Sequence, residues 1–79
     1  MSNNNLNIPG GSTVDILLET STSFIAQNTS DLKIGFKLKA SADDVSGGEL
    51  GPGEVMKFAE SITVWTLNKA NASIYVLRS

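Results

Sequence analysis

Residues 31–39 read "DLKIGFKLK", with Leu32, Ile34, Phe36 and Leu38 on one parity and Lys33, Gly35, Lys37 and Lys39 on the other. A period of two is the signature of a β-strand, and the apolar parity requires a core on one side only. The lysine parity faces water, where a row of like charges also discourages pairing with other chains. The competing use of these lysines, an anionic-ligand patch, has no further motif behind it. "TVDILLE" (13–19) repeats the alternation, setting Val14, Ile16 and Leu18 against Asp15, Leu17 and Glu19. "TSFIAQN" (22–28) reads as a further strand after a Thr/Ser-rich bend.

The C-terminal third breaks this one-sided rule. In "ITVWTL" and "SIYVL", Ile62, Val64, Ile74 and Val76 share one parity, while Trp65, Leu67, Tyr75 and Leu77 share the other, so both faces of these strands are apolar. A single-layer sheet cannot cover both. Either the strands are central in a sandwich, or their second face packs against a neighbouring subunit, and the two solutions are compatible. On the second solution Trp65, Leu67, Tyr75 and Leu77 are the candidate oligomer interface.

Length sharpens that requirement. A chain of 79 residues forms one domain with a thin core, and small folds of this size gain stability from disulfides, metals or association. The chain contains neither cysteine nor histidine, which excludes disulfides, Cys/His zinc sites and every nucleophile–base pair built on thiolate or imidazole. Association is the remaining staple. No catalytic residue, metal ligand or cofactor site is assigned, and enzymatic activity is not expected. A net charge of −2 offers no field for phosphate backbones, so nucleic acid is not an expected partner. No apolar run approaches a membrane span, and the first residues lack the basic and apolar regions of a signal peptide.

Residues 1–12 hold four asparagines, two glycines and a proline around Leu6 and Ile8. They read as an extended N-terminal arm with little order of its own, anchored on a neighbouring subunit or shell through Leu6, Ile8 and Pro9. The β-sandwich domain is then 13–79. Residues 40–54 read as a long loop with tight turns at Gly47-Gly48 and Pro52-Gly53. Asp43, Asp44, Glu49 and Glu54 within it do not have the ligand spacing of a calcium loop. Val55, Phe58, Ile62 and Trp65 fall at helical spacing, but the β-branched and aromatic content of "ITVWT" favours strands at 55–59 and 62–67. The sequons at Asn28 and Asn71 match at chance frequency. Trp65, Tyr75 and Phe36 would form a sugar-stacking platform only if they shared one face.

The order "FIAQNTS", an alternating strand, "LGPGEVMKF", "ITVW", then a short loop and "IYVLR" resembles the small β-sandwich virion proteins of tailed bacteriophages, over about residues 22 to 78. The resemblance implies an all-β fold, an antiparallel β-sandwich or a jelly-roll-like barrel. It further implies a non-enzymatic structural component, a capsid decoration (cement) protein assembled as a homo-oligomer, often a trimer, on the major capsid protein or another virion protein. The protein would be located in the virion, after assembly in the host cytoplasm. A tail or fibre accessory module and a small carbohydrate-binding module are the alternatives.

Overall fold

The computed structural model describes residues 3–40, 47–67 and 69–78. Eight strands follow in order: β1 (Asn3–Ile8), β2 (Thr13–Ile16), β3 (Phe24–Asn28), β4 (Ile34–Leu38), β5 (Gly48–Leu50), β6 (Val55–Phe58), β7 (Ile62–Thr66) and β8 (Ala72–Arg78). They form two four-stranded sheets, the first in the order β1-β8-β3-β6 and the second β2-β7-β4-β5. Every pairing is antiparallel. The chain changes sheet at each connection except β4 to β5. The expected all-β, two-layer architecture is therefore present.

This topology answers the two-faced pattern. β7 lies between β2 and β4, and β8 between β1 and β3, so each is central, but in different sheets. Their inward residues Ile62, Val64, Ile74 and Val76 are buried together between the layers. Phe36 from the second sheet meets Phe58 of the first edge-on at 5.1 Å, and Phe58 meets Phe24 at 5.4 Å. A row of three aromatic rings thus fills the gap between the sheets. Of the three, Phe24 and Phe58 are buried, and each such side chain contributes roughly 1.5 to 3 kcal/mol relative to exposure.

Two readings of the sequence are corrected here. Residues 3–8 are no free arm: β1 pairs along its whole length with β8, from Asn3↔Leu77 to Ile8↔Ala72. Ile8 is fully buried in the chain's own core and Leu6 packs against it, while Pro9 is exposed in the turn that follows. The physical reason is that β8, apolar on its inward side, needs a hydrogen-bonded neighbour, and alternating Leu6 and Ile8 supply inward side chains. The sheet therefore begins within the segment assigned to the arm. The long loop, in turn, contains β5, which pairs Leu50 with Ile34. Asp43 and Asp44 lie outside the described residues.

The helical spacing at 55–65 loses to strand pairing, because β6 lies against β3 with Phe58 opposite Phe24. Ahead of β6, Glu54 N donates to Gly51 O at 3.0 Å, and Gly53 has φ 78°. Pro52 and Gly53 are thus the central pair of a type II turn, whose third position needs a residue free of a Cβ clash.

Candidate interaction surfaces

Asn28 joins the turns that set the sheets against each other. Its side chain is fully buried; Nδ2 donates to the carbonyls of Leu32 and Leu50, and Oδ1 accepts from the Ser30 amide and hydroxyl. Its backbone amide donates to Glu54 O at 3.0 Å, and Gly53 N donates to its carbonyl at 2.9 Å. Every hydrogen-bonding capacity of this amide is used. The "QN" and "LGPGE" stretches, far apart in sequence, are one bonded unit. That burial also removes Asn28 as a glycan acceptor.

Arg78 closes the opposite seam. It is 4% exposed, its Nε donates to Leu17 O at 2.8 Å and lies 3.6 Å from the Glu19 carboxylate. Glu19 occupies the left-handed region at φ 59° in a turn closed by Ser21 N to Leu18 O. A non-glycine residue there costs about 1 kcal/mol or more, which the contact with the buried guanidinium offsets. Nothing in the sequence pattern marked Arg78, because its partners come from the β2–β3 connection.

The two outer sheet faces carry the half-buried aromatic and exposed aliphatic side chains of the central strands. On the second sheet, Trp65 stands between Thr13 and Gly35, with Glu49 beyond the glycine. A Cβ on Gly35 would lie 2.5 Å from Trp65 Nε1 and 2.6 Å from Cε2, so the indole covers the glycine backbone. Around it are charges: Thr63 donates to Asp15 at 2.8 Å, and Lys39 lies 3.6 Å from the same carboxylate.

On the first sheet, Leu77 is directly opposite Ile25, and Tyr75 is opposite Gln27, which pairs in turn with Val55. Ile25, Val55 and Leu77 are 39%, 57% and 38% exposed, and Tyr75 is half-buried. Asn5 and Asn7 flank this patch from β1.

The four expected interface residues thus divide. Trp65 lies on the second sheet with the exposed Leu67 just past the end of β7, and Tyr75 and Leu77 lie on the first, so they form no single patch. The sheet change between β7 and β8 separates the two pairs. Trp65, Tyr75 and Phe36 likewise fall on three different surfaces, two outer and one inner, and build no common stacking platform.

Among the described residues, an open depression of about 380 Å³ is lined by Leu18, Lys39, Ala40, Glu60 and Ser61. The Ser61 hydroxyl accepts from Leu18 N at 2.9 Å, and Lys39 lies 3.6 Å from Asp15.

No family model and no curated protein matches the chain. Among solved structures, the crystal structure of Drosophila melanogaster CENP-C bound to CAL1 superposes with a TM-score of 0.75 at 6% identity over 98% of this chain. The chain spans 63% of that structure's chain. A de novo designed double-stranded β-helix, solved in solution, gives a TM-score of 0.74 at 12% identity, each chain covered in full. At these identities the likeness is one of fold.

Proposed function

We propose that this chain is a non-enzymatic assembly module with jelly-roll strand order, and that its role is that of a capsid decoration (cement) protein, a homo-oligomer binding the major capsid protein. The observation that carries the reading is the apolar outer face of the first sheet, on a domain whose interior is packed with phenylalanine. Such a domain acts through its surface rather than through an enclosed site.

The finer fold assignment is supported by the strand order β1-β8-β3-β6 and β2-β7-β4-β5, together with the likeness to a designed double-stranded β-helix. A binding role is in keeping with CENP-C, which has a similar fold and was solved bound to CAL1. The virion assignment rests on the resemblance of "FIAQNTS", "LGPGEVMKF" and "ITVW" to small virion proteins.

The test is co-purification. Produced together with the major capsid protein of a tailed phage, the chain is expected to sediment with assembled heads at a fixed copy number and to raise their resistance to heat. Heads that exclude it would remove the decoration role, and its recovery with tails alone would establish the tail-accessory alternative.

A further inference from the structure

We propose that the edge of β8 is a strand-addition site whose occupant exchanges between copies: β1 of a second copy takes the place of the chain's own β1, and the turn at 9–12 decides between the two. The inference deepens the homo-oligomer reading above and rests on it. The occupant is identified by the fold, because β1 already fills the site. It pairs with β8 from Asn3↔Leu77 to Ile8↔Ala72, with Ile8 fully buried, Leu6 packed against the core and Asn5 and Asn7 exposed. The same strand from a second copy offers β8 the same backbone groups and the same inward Leu6 and Ile8. β1 lies at the sheet edge with β8 as its one strand neighbour among the described residues, so exchange breaks a single seam.

Because the contacts along β8 are the same in either arrangement, the balance is set by the connection that differs between them. β1 and β2 lie in different sheets. The turn that joins them is closed by Ser12 N to Pro9 O at 3.2 Å, with Gly11 at φ 81°. Gly10 fastens this turn to the β7–β8 connection: its amide donates to Asn71 Oδ1 at 2.9 Å, and a Cβ on it would run into the Lys69 carbonyl. That obstacle is backbone and does not swing aside. Both contacts belong to the closed turn and are lost when it straightens. Straightened, residues 9–12 span at most about 14 Å, which carries β1 to a copy lying alongside, and reciprocal exchange closes as a two-fold pair.

The chain has no cysteine, so single introduced cysteines report the exchange. Asn5 and Tyr75 are directly opposite in the β1–β8 register. Asn5→Cys in one chain and Tyr75→Cys in another are held together when β1 of the first lies on β8 of the second. The two are mixed at high concentration and oxidised, and the covalent heterodimer is measured by mass spectrometry. Asn5→Cys with Lys33→Cys, an exposed position ahead of β4 in the other sheet, is the off-register control. The register pair is expected to exceed the control. Asn71→Ala in both chains removes the acceptor of Gly10 N and should raise the exchanged share roughly twofold to tenfold. Gly10→Ala should raise it roughly tenfold or more, with circular dichroism to check folding. Asn71→Ala adds no bulk to the turn and reads out the exchange even if Gly10→Ala misfolds. A yield above the control that neither variant moves overturns the role of the turn. A yield equal to the control throughout overturns the exchange, and sedimentation velocity then separates the two readings: an oligomer leaves the homo-oligomer reading standing, and a monomer at all concentrations overturns it as well.

Discussion

The two outer faces start from the same sequence signal, an aromatic and a leucine at outward positions of a central strand, and end differently. On the second sheet, Trp65 lies over Gly35 within the sheet and is surrounded by Asp15, Lys37 and Glu49 on the paired strands. On the first sheet, Tyr75 and Leu77 face Gln27 and Ile25, side chains that cannot let a ring settle onto the backbone. The missing Cβ at Gly35 thus gives the indole a seat within its own sheet, whereas Tyr75 stands against a full side chain with the exposed Ile25 and Leu77 beside it.

The sharpest control on this comparison is a variant that disturbs both faces at once. Asn28→Ala leaves the buried carbonyls of Leu32 and Leu50 without their donor, and is expected to lower unfolding free energy by about 3 kcal/mol or more. Urea denaturation measures it, and a loss below about 1 kcal/mol would show that the bonded turns do not set the sheets. Gly35→Val then erases the difference between the faces. Its Cβ would meet the indole at 2.5 Å, displacing Trp65 into water at a cost of about 2 to 3 kcal/mol. Trp65 is the chain's one tryptophan, so its emission should shift to the red, and an unshifted spectrum would mean that the ring has another seat. Trp65→Ala sharpens the contrast from the other side. It should cost about 1 to 2 kcal/mol of stability, as half-buried apolar area is lost, and leave any self-association at its wild-type strength. Weakened self-association would place Trp65 at an oligomer interface.

Much of the layer structure was legible in the sequence, because period-two patterns report which side chains face inward. Ile34, Phe36, Ile62, Val64, Ile74 and Val76 all point where alternation puts them. What alternation does not encode is which strand lies beside which. The polar composition of residues 1–12 masked β1, whose place is set by the need of β8 for a neighbour more than 60 residues away in sequence. The separation of Trp65 from Tyr75 followed from a sheet change across a short loop, and short loops more often join hairpin partners. Arg78 and Asn28 were illegible for a related reason: a buried polar side chain is explained by partners that only the fold brings together. Gly35 looked like a neutral member of a solvated parity, and its role appears only opposite Trp65.

The smallest effect separates the faces by their response to salt. Lys39 and Asp15 lie 3.6 Å apart with side chains 46% and 48% exposed, so the pair is solvated and already screened. Lys39→Ala should change stability by no more than about 0.5 kcal/mol, with no change in association. Added sodium chloride should weaken what little the pair contributes, since the Debye length falls from about 10 Å at 0.1 M to about 3 Å at 1 M. The first sheet has no such pair at its centre. Its exposed residues Ile25, Val55 and Leu77 are apolar, so any association through them should be tightened by sulfate, which is excluded from protein surfaces. Sedimentation in sodium chloride and in sodium sulfate at matched ionic strength distinguishes the two. Self-association strengthened by sulfate and indifferent to chloride fits the Ile25–Leu77 face, whereas association lost in chloride would place the contact on the charged face around Lys37.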